Sequence, residues 1–465
     1  MKKRVLGSIL AFAGILALAS CGDDAGKTSA PTSAPTSTPT STPGSTPVET
    51  SGKVLNVYAW NEEFKGFFEK YVSDEKIAST ETGAPEKYHI DGVEVKWTIK
   101  PSDNGQYQDA LDLALEAQSK ASADNKVDMF LAEADYILKY ADDECTQDIT
   151  KIGVTDFSNI YNYTKQAASD SKGVVKGVSF QCCPSALIYN RVIAKDLFGT
   201  DDPAVVAGKV DTWEKFDQVA AQAKEKGYYM TACESDTYRV FSNNASTPWV
   251  NANNELTIPD TVNTWMAQAE NYVKNGYTVA DDVWGSLKTE NIAADANKAF
   301  CCFGPAWYYN FCMGGSKAGD WAIVEGPMAH FWGGTWLMAA TGSDNTKEVA
   351  KIMNAFINDE EVCTNLIKND GQFTNNQKVN AAVSAEYDEK GTGNAFLGGQ
   401  NDTKIFLELA KNIKFENTTI YDQLCNEGFQ NYFREYLTGQ VSKDKAIANF
   451  YDYITTKYPL ITIKK

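Results

Sequence analysis

The segment CCFGPAWYYNFC, residues 301–312, places three cysteines and five aromatic rings around a Gly-Pro pair. Thiols at that density offer metal ligation, redox chemistry or packing. A zinc site needs four well-spaced nitrogen or sulfur ligands. The chain has no C-x-x-C, and its two histidines, His89 and His330, lie far in sequence from the cysteine clusters. The expectation is no metal and no cofactor. Of ten cysteines, one (Cys21) falls in a leader-like segment, and the remaining nine are too odd a number to pair completely. The neighbours Cys182-Cys183 and Cys301-Cys302 leave two readings open: strained vicinal disulfides, or reduced thiols packed as small hydrophobes.

Carboxylates and indoles offer a second chemistry. Glu133 and Asp135 follow an apolar run, VDMFLA, directly. Two acids can serve glycoside hydrolysis only if one is protonated and the pair stands about 5 Å apart or more. They can equally accept hydrogen bonds from hydroxyls without reacting. The chain carries no Gly-x-Ser-x-Gly, zinc-helix or phosphate-loop pattern, so binding rather than catalysis is expected. Trp60 follows a strand-like run, Trp307 follows Gly304-Pro305-Ala306, and Trp332 and Trp336 bracket Gly333-Gly334-Thr335. An indole at a strand end presents a flat apolar face and one N–H donor. A sugar ring, with an apolar C–H face and a rim of hydroxyls, matches that surface. Tyr308-Tyr309 suggests tyrosinate ligation of iron only weakly, because neighbours on a strand point oppositely. One ring toward a cleft and one toward the core is the simpler expectation.

These residues need elements to hold them. Val54–Ala59, Val93–Lys100 and Val127–Ala132 read as strands, and residues 104–121 carry Tyr107, Leu111, Ala114 and Leu115 on one helical stripe. Asp211-Thr212-Trp213-Glu214 opens a helix that stops at Gly227, and another runs through 260–275 to Gly276. Strand and helix alternate, which predicts an α/β fold with a largely parallel sheet. Ligand-binding loops then lie beyond the strand carboxyl ends.

The N-terminus reads as an address. Met1-Lys2-Lys3-Arg4 precedes an apolar run ending in Leu18-Ala19-Ser20-Cys21, too short to span a bilayer comfortably. Residues 22–52 are built from Ser, Thr, Pro, Ala and Gly and cannot bury a core; repeated proline keeps such a tether extended. A net charge of −18 argues against a nucleic-acid partner.

Several segments together resemble the extracellular solute-binding proteins of ATP-binding-cassette importers, specifically the family 1 sugar binders that include maltodextrin-binding protein. LNVYAW resembles the opening strand, VDMFLAEADYILKYADDECTQDIT a strand with its binding loop, and GVSFQCCPSALIYNRVIAKDLF a crossover between lobes. TWEKF, FGPAW and WGGTW resemble a helix start, a Gly-Pro-Trp motif and a hinge. The resemblance spans nearly all of residues 53–465. It implies a two-lobed, type II periplasmic-binding-protein-like fold with a ligand cleft between lobes. Lobe 1 would comprise 53–180 and 337–395, and lobe 2 181–336 and 396–465. It implies a signal peptide over 1–20, lipid (palmitate) on Cys21 and a tether to 52. The expected ligand-binding residues are Trp60, Asn61, Glu62, Glu133, Asp135, Cys183, Asp236, Trp307, Tyr308, Trp332, Gly334, Trp336 and Phe373, with Arg239, Gly333, Gln372 and Asn375 nearby. Cys183 stands where the family's maltodextrin binder has a ligand-contacting glutamate, and a thiol is a poor partner for hydroxyls. The implied protein is a monomer, not an enzyme, lipid-anchored on the outer face of the cell membrane. It would pass an oligosaccharide to a permease as its lobes close. A non-sugar solute, a glycan adhesin and a glycosidase are the alternatives.

Overall fold

The computed structural model describes residues 52–78 and 86–464. The signal segment, Cys21 and nearly all of the tether lie outside the described residues. Among the described residues no helix is long and apolar enough to cross a membrane.

In chain order the strands are β1 (Val54–Ala59), β2 (Glu75–Ile77), β3 (Lys87–Ile90), β4 (Val93–Ile99), β5 (Met129–Glu133), β6 (Gly177–Ser179) and β7 (Pro184–Asn190). They continue with β8 (Tyr229–Thr231), β9 (Glu255–Leu256), β10 (Ala299–Gly304), β11 (Trp321–Val324), β12 (His330–Phe331), β13 (Thr335–Ala339) and β14 (Thr462–Ile463). A seven-stranded sheet runs β2-β3-β4-β1-β5-β13-β6, and a five-stranded sheet is built on β11-β7-β10-β8 with β12 paired to β7. β1 is parallel to β4 and β5, while β13 lies antiparallel between β5 and β6.

Successive side chains alternate along each strand, and the central strands β5, β13, β7 and β10 are buried on both faces. In the first sheet Leu55, Val57, Met129, Leu131 and Leu337 join one core, and Phe130, Ala132, Trp336 and Met338 join the opposite one. In the second, Leu187, Tyr189, Cys301 and Phe303 face one core, and Ala186, Ile188 and Cys302 the other. Cys301 and Cys302 point to opposite sides of β10, and all nine cysteines among the described residues are free. The Cys301 thiol donates to the Met230 carbonyl at 3.2 Å.

The chain crosses between sheets after β6 and returns before β13. Thr335 and Trp336, assigned from sequence to the second lobe, pair with Glu133 and Ala132 in the seven-stranded sheet. The helix Thr346–Asn358 covers that first sheet, whereas Asp422–Leu437 and Lys443–Lys457 pack on the second.

Local signals fixed several elements as expected. Thr212 Oγ1 caps the helix Trp213–Glu225 by accepting from Lys215 N at 3.2 Å. Asp260–Asn275 ends at Gly276 in the left-handed region, φ 67°. Tyr308–Phe311 differs from the strand reading: Gly304-Pro305 turn the chain into a short helix. There the Tyr308 and Tyr309 side chains diverge, one toward Asp236 and the other onto Phe396.

Candidate functional site

A cavity of about 690 Å³ opens where loops from both sheets meet. Its walls come from strand carboxyl ends: Trp60 and Asn61 after β1, Ser102 and Asp103 after β4, Asp135 after β5, Ser235, Asp236 and Arg239 after β8, and Trp307 after β10. Parallel strands leave such a crevice because their connections diverge there. The loop before β13 adds Trp332, Gly333 and Gly334.

Indoles form one wall. Trp307 meets Trp332 edge-on, 5.0 Å between centroids at 66°, and its Nε1 donates to the Trp332 carbonyl at 3.2 Å. Trp284 lies parallel to Trp307 at 6.5 Å and 8° and is 59% exposed. The two glycines make room for this wall. Gly333 and Gly334 have φ of 71° and 124°, and a Cβ on Gly334 would stand 2.9 Å from the Trp336 ring.

Polar groups face the indoles. Arg239 grips Asp135 with two parallel hydrogen bonds, 2.8 and 2.5 Å, linking loops of the two sheets. Its guanidinium also lies 5.9 Å from the Trp332 ring. Glu133 accepts from the Asp135 amide at 2.7 Å. Burial, together with the Asp135 charge, raises its pKa to about 8. Burial lifts Glu63 to about 7 against the opposing bond from Gln372, and Asp236 to about 6 against the pull of Lys288. Carboxyls that carry protons near neutrality can donate to, as well as accept from, a hydroxyl. His330 is buried against Phe303 and falls to about 4, so its imidazole is neutral.

The structure brings together Trp60, Asn61, Glu133, Asp135, Asp236, Trp307, Trp332 and Gly334 around the cavity, with Arg239 and Gly333. It places others elsewhere. Glu62 is on the surface, paired with Lys65 at 2.7 Å. Trp336 is fully buried, and its Nε1 donates to the Thr164 carbonyl at 2.8 Å. Tyr308 is fully buried behind the wall, 3.3 Å from Asp236. The Cys183 thiol is buried behind the glycine loop, and desolvation raises its pKa well above the ordinary thiol range. Gln372 and Phe373 line a neighbouring cavity, and Asn375 is buried with its amide on Ser179.

Sequence reasoning missed Trp284, Gln181 and a whole helix face. Gln423, Glu427, Gln430 and Asn431 line the cavity from Asp422–Leu437. Their spacing of four, three and one places them on one polar stripe. That stripe was legible opposite the apolar face of Phe429 and Phe433, but nothing in sequence aimed it at a cleft.

Solved structures share this architecture. A binding protein from B. animalis subsp. lactis, in complex with β-1,6-galactobiose, superposes with a TM-score of 0.63 at 17% identity, covering 89% of this chain and 100% of that one. A substrate-binding protein from Listeria monocytogenes, in complex with cycloalternan, gives 0.59 at 15%, covering 87% and 99%. The GacH receptor of Streptomyces glaucescens, solved unliganded and with acarbose, gives 0.60 at 16%, covering 89% and 100%. The fold is therefore the two-lobed α/β fold of the type II periplasmic-binding-protein-like group. A comparison with curated proteins found no match. The model of the bacterial extracellular solute-binding proteins matches residues 86–392, and the chain belongs to that family.

Proposed function

We propose that this protein is a lipid-anchored cell-surface receptor that captures an oligosaccharide and delivers it to the permease of an ATP-binding-cassette importer. One observation carries the reading: an indole wall of Trp284, Trp307 and Trp332 faces carboxyl and amide groups across one cavity. Stacking on ring faces supplies affinity, and the polar rim selects hydroxyl geometry. The sugars bound by structurally similar proteins support the same class. The sequence Leu18-Ala19-Ser20-Cys21 supports the anchor, and the tether would hold the receptor near its permease.

Thermal-shift and calorimetric screening against oligosaccharides, monosaccharides, amino acids and metal ions tests the reading. Stabilisation by oligosaccharides is expected. Stabilisation only by the other classes sinks it, and release of shortened products would favour a glycosidase. Binding of polysaccharide alone would favour an adhesin. Trp307→Ala should weaken binding by more than about 2 kcal/mol, as for a central aromatic contact. Cys21→Ser should move the protein from the membrane fraction to the medium.

A further inference from the structure

Trp284 is the exposed member of the indole wall, whereas Trp307 and Trp332 are half-buried. Among the described residues its ring neighbours are Trp307 at 6.5 Å and Trp332 at 6.2 Å. It sits on a turn between the helices Asp260–Asn275 and Ser286–Ile292. The position of a ring so placed is set by its backbone more than by a core.

That backbone is held from a distant part of the chain. Trp284 N donates to Asp282 Oδ1 at 3.0 Å, and Gly285 N donates to the Asp282 carbonyl at 2.8 Å. The second carboxylate oxygen of Asp282 accepts from Arg434 Nη2 at 3.2 Å. The same guanidinium donates from Nε to Glu234 Oε1 and from Nη2 to Ser235 Oγ, both at 2.7 Å. Glu234 Oε2 in turn accepts from the Asp281 amide at 2.5 Å. Arg434 Nη1 donates to Asn431 Oδ1 at 3.2 Å. One side chain therefore joins the loop after β8, the Trp284 turn and the helix Asp422–Leu437. Among the described residues it is the one cation paired with Asp282. The Glu234 side chain is fully buried and that of Arg434 is 16% exposed. A planar fork with five donors can hold such divergent acceptors together, which a single ammonium cannot. Its charged bonds are also stronger than neutral ones. Arg434 does not line the cavity, whereas Ser235, Asp282, Trp284 and Asn431 do.

We infer that Arg434 is a positioning residue of the binding site: it touches no ligand, and by holding Asp282 it fixes the Trp284 indole for stacking. This rests on the carbohydrate reading of the cavity and adds to it the device that preorganises one wall. An indole fixed in advance spares the cost of ordering that side chain on binding.

Fluorine NMR of the full chain, labelled with 5-fluorotryptophan, tests the positioning without a ligand. The chain has ten tryptophans, and Trp284→Phe identifies the Trp284 signal. Asp282→Asn removes the ion pair, while its side-chain oxygen can still accept from the Trp284 amide; Arg434→Met removes the guanidinium. Both should broaden or split the Trp284 signal and leave that of Trp265 single and in place. Trp265 packs on Phe433, next to Arg434, so its signal reports on the helix itself. Calorimetry with malto-, cello- and xylohexaose then measures affinity. Arg434→Met should weaken the hexasaccharide that binds the wild type about three- to tenfold. It should have no further effect in a Trp284→Ala background, because the two residues act in series. The inference is overturned if the Trp284 signal of Asp282→Asn stays as in the wild type, or if the Trp265 signal changes with it. It is equally overturned if Arg434→Met costs the same factor with and without Trp284. Should no hexasaccharide bind, the carbohydrate reading fails, and the NMR signals alone decide the role of Arg434.

Discussion

The Asp135–Arg239 pair joins loops of the two sheets, and its removal should be asymmetric. Both side chains are about 15% exposed or less, and the contacts are 2.8 and 2.5 Å in fork geometry. Unit charges about 4 Å apart at an effective dielectric of about 20 attract by about 4 kcal/mol. Desolvation of both groups cancels part of that, leaving a coupling of about 1.5–3 kcal/mol. The single variants differ because Glu133 adjoins the pair. Arg239→Ala leaves the buried Asp135 carboxylate without its counter-charge, and also removes the contact with Trp332. Its cost should be about 3–4 kcal/mol, the range for an abandoned buried charge. Asp135→Ala leaves Arg239 beside Glu133, whose carboxyl is then freed from the Asp135 charge that raises its pKa and can ionise against the guanidinium, and should cost about 2 kcal/mol. Urea denaturation of the wild type, both single variants and the double variant gives the coupling directly. A coupling below about 0.5 kcal/mol, or an Asp135→Ala cost equal to that of Arg239→Ala, refutes the reasoning.

Stability should depend on pH through the buried carboxyls. Glu63, Glu133 and Asp236 have folded pKa values of about 7, 8 and 6, raised from 4.5, 4.5 and 3.8 chiefly by burial. The native chain thus holds protons that the unfolded chain has released, and this stability is present below about pH 4 and lost as pH rises toward about 8. Melting at about pH 5 and pH 8 should show the higher midpoint at the lower pH, and Glu63→Gln should reduce that difference; an unchanged difference would count against it. Gly304→Ala would drive a methyl into the Tyr308 ring. It should cost about 1–3 kcal/mol and displace Trp307, so both the melting midpoint and ligand affinity should drop; wild-type values for both would contradict the packing. Alkylation in denaturant without reductant should modify all nine cysteines from Cys145 to Cys425, because all are free. Mass spectrometry showing fewer adducts would mean that some are paired.

Much of the site was legible because it is local. A strand end followed by Trp60-Asn61, a strand followed by Glu133-Ala134-Asp135, and Gly304-Pro305 ahead of Trp307 are short-range arrangements. Backbone sterics and the alternation of a strand decide them. The first strand runs over Val54–Ala59 as its pattern predicts. The expectations that moved were those set by neighbours distant in sequence. Trp336 carries the same signal as Trp332, four residues away beside the same glycines. Its register against Ala132 and Ser179 turns it into the core, where Thr164 satisfies its N–H. Cys183 and Tyr308 likewise lie one layer behind the cavity surface.

Local chemistry sets the alternation of strands and helices, the caps and glycine stops, and the indoles beside tight turns, since each depends on residues within a few positions. Long-range packing sets which polar stripe faces the cleft, that Arg239 finds Asp135 from 104 residues away, and that Cys301 and Cys302 point to opposite faces of one strand. Those outcomes depend on which surfaces meet when two sheets pack, a choice made by the whole buried core rather than by any segment of it.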